Sequence, residues 1–134
     1  MAVANRSVPA LAASGREVQG YGSMSSERIS GYVSTGYLPP KVVRVLRERA
    51  RGGNVDMVIF SYATPIAWRD NGVWVRPLVS YSVRTSKHQS YLWALDIQGV
   101  PADVSLGEYE RVLAGKMIFS GNKTVPGPNY VAGE

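Results

Sequence analysis

One histidine, His88, stands in the polar run Thr85-Ser86-Lys87-His88-Gln89. Imidazole titrates near neutral pH without help from its surroundings, so His88 is the first candidate for acid–base work. A serine activated by a histidine needs its Oγ within hydrogen-bond reach of the ring, with a third group orienting the ring. Ser86 is two residues away, and on a helix residues i and i+2 point apart. Ser86 with Gln89 three residues later spells a capping box instead. No Gly-x-Ser-x-Gly elbow occurs. The expectation is therefore no catalytic residue and no enzyme. Ser86 and His88 form a polar site where a strand meets a helix, the ring bonding a backbone carbonyl. One histidine and no cysteine cannot build a zinc site. The carboxylates are scattered, and neither phosphate-loop nor dinucleotide glycine signature follows a strand. No metal and no cofactor are expected.

The cations are grouped. Lys41, Arg44, Arg47, Arg49 and Arg51 face one acid, Glu48, between residues 39 and 55. Arg69, Arg76, Arg84 and Lys87 face only Asp70 between 69 and 91, and the whole chain carries +5. Such clusters attract anions by long-range field and by counterion release. Trp68, Trp74, Tyr91 and Trp93 are interleaved with the second cluster. Aromatic rings among cations can stack bases while the cations hold phosphates. The same alternation arises when rings fill a core and arginines point outward. The candidate nucleic-acid contacts are Lys41, Arg44, Arg47, Arg51, Arg69, Arg84 and Lys87, with Trp68, Trp74, Tyr91 and Trp93 as stacking or interface anchors.

The elements that must position these groups are legible between residues 38 and 120, read as a single α+β domain. Pro39-Pro40 opens a helix, where a proline's missing N–H would be unpaired anyway. Val42, Val43, Leu46 and Ala50 recur at helical spacing, and Gly52-Gly53 ends the helix. Val55 to Tyr62 is apolar on both sides, as a central strand is. Thr64-Pro65 predicts a bend. Asn71-Gly72 between two apolar runs is a hairpin turn, since both residues accept positive φ. A two-residue turn there sets Asp70 opposite Val73, Arg69 opposite Trp74 and Trp68 opposite Val75. The return strand is expected to run through Leu78 to Val83. Helices follow near 87–95 and 105–114, the second from a Ser105–Glu108 capping box, and then a short strand at 116–120. The expected fold is a small antiparallel sheet over about 55–84, packed by two or three short helices. Residues 1–37, rich in Gly and Ser, read as a flexible arm with one short strand near 29–33. Residues 121–134 read as a flexible tail.

Apolar residues make up 45% of the 134 and charged residues 19%, a globular composition. Disulfides are excluded, and no apolar run approaches the roughly 20 residues that span a bilayer. The first residues, broken by Pro9, are too short an apolar patch for a secretory signal. No membrane partner is expected.

Two motifs occur together: Tyr-Ala-Thr-Pro-Ile-Ala-Trp at 62–68, after Ser61, and Tyr-Ser-Val-Arg-Thr-Ser-Lys-His at 81–88. The pair resembles a "SYxTPIA … YSVxTSxH" pattern in small, largely uncharacterised bacteriophage-encoded proteins, above all those of actinobacterial phages. The resemblance covers about residues 55–95. Arg84 stands where such proteins often carry Thr. The resemblance implies a small phage protein made in the host cytoplasm, for genome handling or host takeover. It supplies no catalytic or binding residue. The expected function is a basic accessory protein that binds nucleic acid without catalysis. The rival is an interaction module that inhibits or redirects a host protein, and self-association is left open.

Overall fold

The computed structural model describes residues 2–79, 83–120 and 123–127. Seven strands form one sheet, in chain order: β1 (Ala2–Val3), β2 (Val18–Gly20), β3 (Met24–Arg28), β4 (Val55–Ser61), β5 (Thr64–Asp70), β6 (Val73–Leu78) and β7 (Ile97–Pro101). The β1–β2 and β6–β7 pairs are parallel and the rest antiparallel. Parallel neighbours need a crossover. Here α1 (Val8–Ala13) and α3 (Val83–Ser90) fall within the two crossovers. The remaining helices are α2 (Pro40–Arg51) and α4 (Leu106–Leu113), and β8 (Met117–Ser120) pairs with β9 (Lys123–Pro126) in a separate hairpin. Among the described residues no helix is long and apolar enough to cross a membrane.

The sheet is covered on both faces. Val42, Val45, Leu46 and Ala50 of α2 pack with Val58, Phe60, Trp68, Val75 and, from α4, Tyr109 and Val112. The opposite face carries Met57, Ile59, Ile66 and Trp74 beneath Val8 and Ala12 of α1 and Leu92 and Leu95 after α3. Alternate residues of β4 thus feed two cores, as its doubly apolar pattern requires. Each large aliphatic side chain fully removed from water contributes roughly 1.5–3 kcal/mol.

The α2 helix and the Asn71-Gly72 hairpin stand as the sequence sets them. The turn residues have φ of 49° and 83°, and the pairs are Asp70–Val73, Arg69–Trp74 and Trp68–Val75. Helix α4 starts from the expected capping box, Ser105 Oγ accepting from the Glu108 N–H.

Other expectations are corrected. The sheet has seven strands and mixed pairing rather than being small and antiparallel. The presumed N-terminal arm supplies β1, α1, β2 and β3, and no strand lies at 29–33, where one was expected, since β3 ends at Arg28. Few residues of this segment are bulky and apolar, but Val8 and Ala12 lie one helical turn apart and are fully buried. They close the face that α2 leaves open. The strand expected through Val83 ends at Leu78, Val83 already belongs to α3, and residues 80–82 lie outside the described residues. Ser86 is therefore inside a helix rather than at its N-cap. The Thr64-Pro65 bend is a second tight hairpin, Ser61 facing Thr64 across Tyr62-Ala63. Pro65 is tolerated because the β5–β6 ladder has ended at Trp68–Val75. Of the expected tail, β9 is described and residues 128–134 lie outside the described residues.

Candidate functional site

His88 is 6% exposed and sits on the α1 side of the sheet. Its partner is Ser61, at the end of β4, not Ser86: Ser61 Oγ lies 2.7 Å from Nδ1. Ser61 Oγ is in turn 3.2 Å from Thr85 Oγ1, and Nε2 is 3.4 Å from Nδ2 of Asn5. Asn5 belongs to a 3₁₀ turn, Asn5–Ser7, between β1 and α1.

These contacts have a direction. A backbone N–H only donates, and that of Gly22 lies 3.0 Å from Asn5 Oδ1. The amide oxygen is thus committed, and the NH₂ faces the imidazole. Nε2 must then carry the lone pair and Nδ1 the proton. Nδ1–H donates to Ser61 Oγ, and the Ser61 hydroxyl donates to Thr85 Oγ1. Burial, with Lys87 adding like-charge repulsion, holds His88 below its ordinary pKa. A proton on Nε2 would also confront the Asn5 amide. Ser61 is 1% exposed, and in this arrangement its oxygen accepts the Nδ1–H hydrogen bond, so the ring does not act as its base. The ring is a neutral group that presents an acceptor.

That acceptor borders a cavity of about 330 Å³ lined by Asn5, Gly22, Ser23, Tyr62, Lys87, His88 and Tyr91. The Tyr62 ring tilts 32° to the imidazole with centroids 5.9 Å apart. Tyr62 and Ser23 both have left-handed backbone, φ 56° and 75°, and the Tyr62 N–H donates to Ser23 O at 2.8 Å. Two side chains at positive φ on adjacent turns is a costly arrangement, and such residues cluster at functional sites. Gly20 and Gly22 leave no room for a Cβ against the Asn5 amide.

The candidate cations divide between the two faces of the sheet. Lys41, Arg44, Arg47 and Arg51 are on the exposed side of α2. Lys41 and Arg44 line a groove of about 520 Å³ with Val45, Glu48, Val104, Ser105 and Leu106. Neither has an ion-pair partner among the described residues. Arg47 reaches only Thr35, at 3.5 Å, and Arg51 lies 3.8 Å from Glu48. Arg69 is on the opposite face and is neutralised. Its Nε and Nη2 hold the Asp56 carboxylate at 3.0 and 2.8 Å, and it lies over the Trp74 ring. Asp56 is the extra residue of a bulge between Val55 and Met57, which turns it toward Arg69. Lys87 also lies on this second face, at the His88 cavity. Arg84 belongs to α3, and its side chain is outside the described residues. Among the described side chains, Arg69 and Lys87 do not converge with the cations of α2.

Among the rings, Trp68 (0% exposed) and Trp74 (7%) are core, which removes them as anchors. Tyr91 is half-buried at the cavity, and Trp93 is 82% exposed. Tyr21, Tyr32 and Tyr37, each at least 76% exposed, are further outward rings.

A second polar network escaped the sequence reading. Asp70, fully buried, receives Arg49 Nε and Nη2 at 2.8 and 2.9 Å and the Tyr109 hydroxyl at 2.8 Å. Tyr109 in turn accepts from Trp68 Nε1 at 2.8 Å. The bond to Asp70 raises the Arg49 pKa, and burial raises that of Tyr109. The network bolts α2, β5 and α4 together and so fixes the basic helix on the sheet. Among the described residues no cluster of three or more His, Asp or Glu could hold a metal.

No curated protein and no solved structure matches the chain. Residues 13–96 match the model of a family described as "Family of unknown function (DUF8033)". The match takes in β2 through α3 and includes Ser61, Tyr62 and His88, while Asn5 falls outside it. It spans more than half of the chain, and the protein therefore belongs to the DUF8033 family.

Proposed function

We propose that the protein binds nucleic acid without catalysis, through the exposed side of α2, and serves phage growth as the motif resemblance implies. The observation that carries this reading is the groove between α2 and the start of α4, where Lys41 and Arg44 outnumber the single acid of the lining, Glu48, and form no ion pair with it. Arg47 and Arg51 extend the same side of the helix. The Arg49–Asp70 clamp holds the helix rigidly, so the cations are presented in a fixed row. The row suits phosphates, which position a strand without reading its sequence.

The test is a gel shift across a salt series. Affinity should fall steeply with salt, and the slope of log K against log salt should lose about 0.9 for each duplex phosphate contact removed. Arg44→Glu with Arg47→Glu should abolish the shift at moderate salt. Binding unchanged in that variant, or independent of salt, overturns the reading. The exposed Tyr21, Tyr32, Tyr37 and Trp93 support a second reading, capture of a host protein with aromatic anchors. A partner retained from host lysate after nuclease treatment, and lost on Trp93→Ala, would favour it.

A further inference from the structure

We infer that the His88 cavity binds a nucleobase, with Lys87 taking an attached phosphate. The inference is independent of the α2 surface, because the two lie on opposite faces of the sheet.

The cavity has the make-up of a small-ligand site. Its volume of about 330 Å³ is at the lower end of the usual range. Two aromatic side chains, Tyr62 and Tyr91, line it, which suits a flat ring. The polar end is a matched pair: His88 Nε2 accepts and the adjacent Asn5 Nδ2 donates, 3.4 Å apart. Every nucleobase has a donor beside an acceptor on its pairing edge, at about this spacing. An N–H facing His88 and a ring oxygen or nitrogen facing Asn5 satisfies both groups. The Asn5–His88 bond is itself long for a hydrogen bond. A ligand therefore replaces a weak contact with two good ones.

The polarity is locked from behind. Ser61, Thr85 and the Gly22 N–H fix which atom donates and which accepts, so the pair is ready before a ligand arrives. Preorganisation of this kind lowers the cost of binding. His88 is more than nine-tenths buried, yet it and Asn5, the partner of its acceptor, both line a cavity. A purely structural histidine has no need of that. Lys87, exposed and in the same lining, is placed for the anion.

The test uses the full chain and four nucleoside monophosphates, with ribose 5-phosphate and inorganic phosphate as controls. Titration is followed by calorimetry and by the ¹⁵N shifts of the His88 ring, which need no mutation. A monophosphate should bind and move the Nε2 resonance, whereas the two controls should not move it. Lys87→Ala, at an exposed position, should weaken binding by about tenfold. Asn5→Ala should do the same without unfolding the chain, checked by circular dichroism. Tighter capture of a trinucleotide than of a monophosphate assigns the base to a strand, and the reverse order assigns it to free nucleotide. Nε2 unmoved by every nucleotide at about 5 mM, weaker than nearly any specific site, overturns the inference. So does equal binding of ribose 5-phosphate, which would leave only an anion site.

Discussion

Replacing Tyr109 by Phe deletes one hydroxyl and no ring volume, yet it strikes two bonds at once. Trp68 Nε1 loses its acceptor in a fully buried position, and Asp70 loses one of its three donors. A buried donor left unmade costs about 1–3 kcal/mol, and a bond to a charged group is worth about 1.5–3 kcal/mol. The combined loss should be about 2.5–6 kcal/mol, a large share of the roughly 5–15 kcal/mol of a domain this size. At about 3–5 °C per kcal/mol the melting temperature should fall by roughly 8–30 °C. Urea titration should show a lower midpoint at unchanged slope, since the folded chain stays compact. Arg49→Met should be at least as damaging, at about 3–5 kcal/mol, because it abandons a buried carboxylate. Adding Asp70→Leu to Arg49→Met should recover much of that loss, since no charge then remains inside. A melting shift below about 3 °C for Tyr109→Phe would refute the network as the bolt between α2 and α4.

Four further outcomes follow. The native state holds His88 neutral, so the unfolded chain takes up a proton that the folded one resists. Stability is full above the ordinary histidine value of about 6.5 and is lost as pH falls below it, by at most about 1.4 kcal/mol per unit. Urea midpoints flat between pH 7.5 and 5 would contradict this. Arg69→Ala breaks an exposed pair with Asp56 and should cost about 1 kcal/mol or less by thermal melting. Gly36→Ala should cost about 1–3 kcal/mol, because φ is +49° and a Cβ would meet Ala63 O at 2.6 Å. Gly53→Ala, with φ +77° but open space around it, should lose only about 1 kcal/mol, a contrast that urea titration resolves.

The parts legible in the sequence are those whose signals are local. Helix α2 has its prolines, its apolar spacing and its closing glycines within one short stretch. The Asn71-Gly72 turn fixes the register of Trp68 against Val75 because turn and strands adjoin. What stayed hidden depends on distant partners. His88 is bonded to Ser61, 27 residues away, and to Asn5, 83 residues away. Ser61 read as one more strand residue, and Ser86 drew attention only by proximity. Asp70 read only as the residue paired with Val73 beside a turn, and nothing local shows that Arg49 and Tyr109 converge on it. The value of Val8 and Ala12 was equally invisible, since two apolar residues make a face only when a sheet lacks one.

Asn5 follows β1, a two-residue strand at the margin of the sheet. Marginal strands open far more often than central ones. Each such opening detaches the amide from the imidazole while Ser61 keeps its grip on the other side. The dwell time of a guest in the cavity is then governed by a brief peeling of the chain's first turn, and slowed amide exchange at Val3 and Tyr21 on occupancy is its signature.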